Sequence, residues 1–223
     1  FVIIHSNLLD IQSLYSYIST DEILDTYFNK PNLISQCQQI ENHISSVLDL
    51  SLCSQYNSHN DFDNNFIRRG INVYHDKTVE KMVDSYDKLE CISEYLNTEL
   101  MKSEKSKNKC VKVYQTDKNG YSITLTKRRA TILKTHISKR KTPVCLSYFS
   151  KYTHSDQSFS FDCKSIQFVD STKSDAYVTS IEIKELCNLI QQSKHAMLKS
   201  LQQVYNTFID EMIEFSDNVE NIS

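Results

Sequence analysis

Glycine is almost absent from this sequence, since Gly70 and Gly120 are the only two among 223 residues. A P-loop or a dinucleotide-binding fingerprint needs two or three glycines within a few residues, because backbone N–H groups must approach a phosphate closely. The wide separation of the two glycines excludes both motifs. We therefore expect no nucleotide chemistry from this chain.

Paired metal-binding and disulfide motifs are also missing. The seven cysteines lie at least sixteen residues apart, so there is no CxxC pair, and the seven histidines contain no HExxH pair. An odd, scattered set of cysteines argues against a disulfide framework and for a reducing intracellular compartment, with cytoplasm, nucleus and organelle left open. Zinc ligands usually have short spacings, although a site built from distant residues stays open. We predict no metal and no cofactor in this chain.

Long apolar runs are lacking as well. No stretch approaches the ~18 residues of a membrane span, and the N-terminus lacks the basic start and apolar core of a signal peptide. The first residue is Phe1 rather than methionine. We expect a soluble piece of a longer protein with no membrane partner.

A grouped set of catalytic side chains is not visible in the sequence. Asp61 and Asp63 fall in a polar stretch, and Asp84 and Asp87 fall on what we expect to be the exposed side of a helix. No Ser/His/Asp or Cys/His grouping stands out, although such sets are assembled in space and stay open. We predict that this chain is not an enzyme.

Charge is plentiful and strongly segregated. From Lys102 to Lys141 there are thirteen lysine and arginine residues against two acidic ones, Glu104 and Asp117, which gives this stretch a net charge of +11. The rest of the chain carries −14. This pattern favours a module that meets a polyanion with one part of its surface. The alternative is an ordinary solvated charged face.

Apolar residues recur with helical spacing in the first 55 residues. One stretch begins at Asp21, Pro31 interrupts it, and a second stretch runs from Ile34 to Leu48. We predict two helices there, followed by a polar loop over residues 54–65.

Two longer helices are predicted further along the chain. The first starts at Asp76 or Thr78 and continues to about Leu100 without glycine or proline. The second starts with a capping box between Thr179 and Glu182. Their apolar stripes need burial against a partner, and we expect the two helices to pack on each other.

Between these helices the apolar period changes from 3.6 to 2. Strands are predicted at residues 111–115, 121–126, 165–169 and 176–178, the first two joined through Asn-Gly. Residues 127–137 predict a short basic helix or loop, and residues 138–160 predict an irregular segment. The predicted fold class is mainly α with a small β insertion: long antiparallel helices carry a four-stranded antiparallel sheet at the tip. The predicted domains are residues 1–108 (first helical part), 109–178 (sheet insertion) and 179–223 (return helix).

The basic residues follow the predicted hairpin, where they suit phosphate contacts that position a protein on a duplex without reading its sequence. The candidates are Lys118 and Asn119 in the hairpin turn, and Lys127, Arg128, Arg129, Lys134, Lys139, Arg140 and Lys141 after it. Each phosphate neutralised would steepen the salt dependence of binding by about 0.9 in log–log slope.

Aromatic residues near the basic stretch have two interpretations. They are Tyr114, Tyr121, Tyr148, Phe149 and Tyr152. They either stack on unpaired bases, as in single-strand binders, or pack within the sheet, which we favour. Tyr121 is expected to pair across the strands with Gln115 or Tyr114.

Several short motifs occur in a set order: Phe66-Ile67-Arg68-Arg69-Gly70 before the long helix, Val111-Lys112-Val113 and Gly120-Tyr121-Ser122 in the hairpin, and Phe168-Val169 through Tyr177-Val178-Thr179 into the last helix. Over roughly residues 20–215 this order resembles the lever and clamp region of the MutS family of DNA mismatch-repair proteins. Ser180 stands where that family usually has proline, and Ala176 stands in place of a basic residue. The Lys127-Arg128-Arg129 strand ending is similar to the virus- and organelle-encoded branch of the family.

The resemblance implies a clamp that closes over double-stranded DNA through its sugar-phosphate backbone, with the long helices acting as levers towards an ATPase domain outside this chain. It also implies a contact between the DNA backbone and Lys173, in the loop between the last two strands. The full-length protein would be a dimeric, DNA-dependent ATPase that uses ATP and Mg²⁺. This chain has neither the ATPase nor the mismatch-reading domain. The alternative function is a helical protein-interaction stalk with no nucleic-acid role, in which the apolar stripes bind a partner helix.

Overall fold

A computed structural model describes residues 1–24, 32–54, 65–104, 108–116, 120–138 and 143–216. The chain forms two compact units. We call Phe1–Asp76 with Met197–Ser223 the helical unit, and Lys77–Ala196 the sheet unit. In chain order the elements are α1 (Val2–Ile18), α2 (Leu33–Val47), α3 (Leu50–Cys53), α4 (Val73–Met101), β1 (Lys112–Thr116), β2 (Gly120–Thr126), α5 (Lys127–Ile137), β3 (Val144–Ser150), β4 (Ser155–Phe161), a 3₁₀ turn (Cys163–Ser165), β5 (Gln167–Asp170), β6 (Asp175–Thr179) and α6 (Ile181–Ile213).

The core of the helical unit is built from helical apolar stripes. On α2, Cys37, Ile40 and Ile44 follow at spacings of three and four residues, and all three are fully buried. They share one cluster with Leu8 of α1 and Phe208 of α6. The helix predicted from Ile34 to Leu48 is therefore confirmed. Residues 25–31 and 55–64, where parts of the other predicted helix and of the loop fall, lie outside the described residues.

The stretch before α4 is tied to the end of α2. Ile67 forms a β-bridge with Leu48, and both side chains are buried. Gly70 has a φ of +98°, a left-handed conformation that an L side chain rarely adopts. Its N–H donates to Asp76 Oδ2 at 2.8 Å, which connects the turn to the first residues of α4.

The sheet unit contains a four-stranded antiparallel sheet in the order β1-β2-β6-β5. Val113, Ile123, Val178 and Phe168 lie opposite one another across the four strands and face the core with α4 and α6. The mainly helical fold with a four-stranded sheet is thus confirmed. Of the two cross-strand partners expected for Tyr121, Gln115 is the one that lies opposite it.

Both long helices form, but their starts differ from the prediction. α4 has 29 residues and begins at Val73, because Asn72 Oδ1 accepts a hydrogen bond from the backbone N–H of His75 at 2.9 Å. α6 has 33 residues. Its first turn is capped by Ser180, whose Oγ accepts from the Ile183 N–H at 3.1 Å.

The predicted capping box of Thr179 and Glu182 is wrong. Thr179 is the last residue of β6, so it is one position too early to cap α6. The Glu182 carboxylate accepts instead from Asp162 N and Ser165 Oγ, each at 3.4 Å. It links the start of α6 to the 3₁₀ turn rather than to its own N-cap.

The prediction of an irregular segment over residues 138–160 is also wrong. Strands β3 and β4 form a seven-residue antiparallel hairpin with buried Leu146 and Phe161. The apolar–polar alternation is weak in the sequence, because Cys145 and Phe149 occupy exposed positions while Ser150 is buried. Lys127–Ile137, which the sequence left open between helix and loop, is the helix α5.

Candidate nucleic-acid interface

Five of the candidate phosphate-contacting residues lie in the described part of the chain, and we call them the basic edge. They are Lys127, Arg128, Arg129, Lys134 and Lys173. The others, Lys118, Asn119, Lys139, Arg140 and Lys141, lie outside the described residues.

Helix α5 is oriented by its apolar stripe. It follows β2 directly, with Thr126 still in an extended conformation. Ala130, Leu133 and Ile137 are buried in the core of the sheet unit. Because one side of the helix is fixed in this way, Arg128 and Lys134 are exposed on the solvent side.

The start of α5 meets the turn between β5 and β6. The backbone N–H of Lys127 donates to Ser174 O at 2.9 Å, and the neighbouring Lys173 is exposed. The turn is held by Thr172 Oγ1, which accepts from the backbone N–H groups of Ser174 at 3.2 Å and Asp175 at 3.0 Å. The fold therefore brings Lys173 next to the first residue of α5.

Two carboxylates, which the sequence did not single out as partners, hold three of these cations. Lys127 Nζ lies 2.7 Å from Asp170 Oδ2. Arg129 Nε donates to Glu104 Oε2 at 2.9 Å, and Arg128 donates to the other oxygen of the same carboxylate. The Glu104 side chain is 12% exposed, whereas that of Arg128 is 76% exposed. Glu104 thus lies beneath the arginines, and most of the Arg128 side chain remains open to solvent.

The five cations of the basic edge outnumber the two carboxylates that pair with them. The first turn of α5 holds three consecutive cations and no acidic residue. The positive end of the helix dipole adds to their charge. Among the described residues, Lys134 and Lys173 make no ion pair. Such an arrangement favours an anion that brings several oxygens, because guanidinium groups have N–H donors to spare.

The aromatic candidates separate into engaged and open rings. Tyr121 packs edge-on against Tyr86, with the ring centroids 5.6 Å apart. Tyr148 donates its hydroxyl to Asp84, and burial together with this hydrogen bond raises the pKa of Tyr148. Tyr114 and Phe149 are each 56% exposed. Packing is thus confirmed for Tyr121 and Tyr148, while Tyr114 presents an open ring. Phe149 is exposed, but its ring centroid lies 6.5 Å from that of His154.

The placement of Asp87 differs from the prediction. Asp87 is 4% exposed rather than solvated, because its Oδ2 accepts from the backbone N–H of Lys151 at 2.8 Å. Lys151 Nζ lies 3.3 Å from the other oxygen of Asp87 and 2.7 Å from Glu90. The hydrogen bond to Glu90 raises the pKa of Lys151. These carboxylates join the β3–β4 hairpin to α4.

The other acidic candidates are Asp84, Asp61 and Asp63. Asp84 binds Lys88 at 2.7 Å in addition to Tyr148. Asp61 and Asp63 lie outside the described residues. Within the described ranges, His, Cys, Asp and Glu side chains form no group of three or more suited to a metal ion.

No protein-family model matches the chain, and no curated protein matches it. None of the described helices has the length and apolar character needed to cross a membrane. A function is therefore inferred from the chemistry of the basic edge.

Proposed function

We propose that this chain is the lever and clamp region of a MutS-like DNA mismatch-repair ATPase and that it grips double-stranded DNA through the phosphate backbone. The observation that carries the proposal is the basic edge, where the start of α5 and the β5–β6 turn meet. Two segments far apart in the sequence contribute cations there, which favours a binding surface over an ordinary solvated helix face.

Backbone contacts fit these residues better than base contacts. Lysine, arginine and helix N-termini are the usual partners of phosphate oxygens, and they carry no sequence information by themselves. In this proposal Arg128 and Lys134 on α5, with Lys173 on the turn, bind phosphates of the duplex. Lys118, Asn119, Lys139, Arg140 and Lys141 belong to the same proposed interface.

The remaining activities belong to other parts of the proposed full-length protein. The helices α4 and α6 act as levers that relay the position of the clamp to an ATPase domain, where ATP and Mg²⁺ bind. That protein is a dimer in a reducing intracellular compartment. This chain is not an enzyme in the proposal, and it discriminates poorly between matched and mismatched DNA.

The proposal is tested by fluorescence anisotropy with a labelled homoduplex and a single-mismatch duplex across a salt series. We expect similar micromolar-or-weaker affinity for both, with a steep salt slope. The triple variant Lys127→Glu, Arg128→Glu, Arg129→Glu should abolish most of this binding. The matched control reverses three exposed lysines elsewhere in the sheet unit, Lys77, Lys81 and Lys184. Equal affinity of the two triple variants would contradict the proposal.

The alternative function has its own supporting observation. Helix α1 exposes large apolar side chains, with Ile3 at 74%, Leu14 at 61% and Tyr17 at 75%. A protein-interaction stalk would use such a face to bind a partner helix. Analytical ultracentrifugation tests it, since the stalk predicts self-association or a partly molten chain. A well-folded monomer counts against it.

A further inference from the structure

The four-stranded sheet has one face turned away from the core. Side chains alternate between the two faces of a strand, so the neighbours of the buried row Val113–Ile123–Val178–Phe168 point to the opposite side. We call this side the open face. It is formed chiefly by Lys112, Tyr114, Ser122, Thr124, Val169 and Tyr177.

The open face carries two tyrosine rings among small hydroxyl residues. Lys112, Thr124, Tyr177 and Val169 lie opposite one another in a continuous row across all four strands. Tyr114 lies one step along β1, at 56% exposure. From the usual spacing of strands and residues, the two tyrosine positions are about 12 Å apart. That separation leaves room for a different planar group on each ring.

Of the two rings of the open face, Tyr114 is exposed and Tyr177 is half-buried. Among the described residues, no aromatic ring packs against Tyr114 or Tyr177, in contrast to Tyr121 on the core side. The hydroxyl groups between them are turned to the backbone: Ser122 Oγ donates to Tyr114 O at 3.3 Å, and Thr124 Oγ1 donates to Lys112 O at 3.5 Å. The side chains between the two rings are therefore short, and their hydroxyl groups already donate hydrogen bonds to the backbone.

The charge around the open face selects its partner. Lys112 stands on the edge strand of the face and is exposed. At the end of β2, Thr126 pairs with Asp175 of β6. Lys127 follows Thr126 and Ser174 precedes Asp175, and the basic edge begins at these two residues. A ligand that lies across the open face meets a cation at both sides. Single-stranded nucleic acid combines planar bases with a polyanionic backbone, and exposed rings on a four-stranded sheet are a known way to bind it.

We propose that the open face binds unpaired bases of single-stranded nucleic acid by stacking on Tyr114 and Tyr177, while Lys112 and the basic edge neutralise its phosphates. Paired bases within a duplex are already stacked on each other, so this activity goes beyond duplex gripping and does not depend on it. Stacking tolerates any base, since every base has a π face, and we expect little sequence preference.

The test uses the whole chain and two labelled probes in anisotropy titrations. One probe is oligothymidine of about ten nucleotides, and the other is an abasic oligomer of equal length and charge. Tyr114→Ala and Tyr177→Ala should each weaken oligothymidine binding by on the order of tenfold. Phe149→Ala is the matched control, because Phe149 is equally exposed on the other hairpin. It should leave the affinity unchanged.

The conservative variants keep the test decisive if an alanine variant fails to fold. The chain has no tryptophan, so tyrosine emission is observed directly. Tyr114→Phe and Tyr177→Phe should retain oligothymidine affinity, but each should lose part of the tyrosine quenching seen in the wild type on binding. The abasic oligomer should bind more weakly and cause little quenching.

Equal binding of the two probes, or quenching that both phenylalanine variants leave unchanged, would overturn the proposal. Self-association of the chain through the open face would also overturn the proposal. In that case Tyr114→Ala would reduce self-association rather than oligothymidine binding. If duplex binding fails while oligothymidine binding and quenching persist, the duplex clamp is wrong and the stacking surface stands.

Discussion

The Nε of Arg129 donates to Glu104 Oε2 at 2.9 Å, so this arginine is partly neutralised within the chain by the same carboxylate that binds Arg128. A phosphate that approaches Arg128 and Arg129 competes with that carboxylate. Glu104 thus lowers the positive charge that the basic edge offers to an anion.

Glu104→Gln should therefore tighten duplex binding. The amide keeps the shape and one hydrogen-bond acceptor but removes the negative charge, so we expect a severalfold higher affinity at low salt and a log–log salt slope steeper by about 0.9. The measurement is a salt series of anisotropy titrations. Glu90→Gln is the control, because it breaks a lysine pair on the β3–β4 hairpin instead. Weaker binding by Glu104→Gln would mean that the carboxylate positions the arginines rather than masking them.

Asp87→Ala should destabilise the fold much more than Asp170→Ala. Each aspartate contacts a lysine, but Asp87 is nearly buried and also accepts the backbone N–H of Lys151, whereas the Asp170 side chain is 74% exposed. We expect a loss of about 2–3 kcal/mol for Asp87→Ala, from the buried donor left without its partner, and less than about 0.5 kcal/mol for Asp170→Ala. Urea unfolding of both variants gives the comparison. Equal losses of unfolding free energy would show that Asp87 does not stabilise the packing of the β3–β4 hairpin on α4.

Ser180→Ala should cost about 1 kcal/mol of unfolding free energy, because the serine hydroxyl caps the first turn of α6. Thr179→Ala should cost less, since Thr179 is a strand residue and caps nothing. Thermal or urea unfolding distinguishes the two variants. A larger loss of unfolding free energy for Thr179→Ala than for Ser180→Ala would support the capping box predicted from the sequence.

His75 should make the helical unit less stable in mild acid. Its ring is fully buried, with Nε2 2.8 Å from Asn65 Oδ1 and Nδ1 2.8 Å from Ser200 Oγ. Burial lowers the pKa of His75 below its usual value near 6.5, against a smaller opposite effect of Asp76. The unfolded chain then binds a proton at a pH where the folded chain does not, so stability falls as the pH drops below about 6.5.

The measurement is urea unfolding of the wild type and of His75→Gln at several pH values from about 7.5 to 5. The wild type should lose stability over this range by more than the variant does, whatever the absolute stability of each. The other histidines are common to both proteins, so the difference isolates His75. Parallel pH profiles would exclude a role for this ring in acid sensitivity.

The sequence predicted those parts of the fold in which local chemistry and burial agree. The Asn-Gly hairpin and the apolar spacing of Cys37, Ile40 and Ile44 belong to this class. The β3–β4 hairpin was missed because apolar Cys145 and Phe149 occupy exposed positions and Ser150 occupies a buried one, although Leu146 and Phe161 alternate correctly towards the core. The intrinsic strand preference of the residues in β3 and β4 is weak, so pairing with the neighbouring strand determines that they form a hairpin.

The sequence predicted which basic residues belong to the candidate site, but it did not predict which acidic residues contact them. The run Lys127-Arg128-Arg129 is visible in the sequence, and Lys173 came from a resemblance. That Glu104 lies beneath two of these arginines depends on where α4 ends relative to α5, which no spacing along the chain reports. In the same way, the helical pattern around Asp87 did not reveal that the β3–β4 hairpin covers that side of α4.

No loop separates Thr126 of β2 from Lys127 of α5, so the register of the strand sets the rotational phase of the helix. One residue inserted at this junction turns the helix by about 100°. The apolar stripe of α5 would then have to leave the core, or the cations would have to enter it. An uncharged insertion would therefore leave every basic residue and the net charge of the chain unchanged while the proposed phosphate-binding surface is lost.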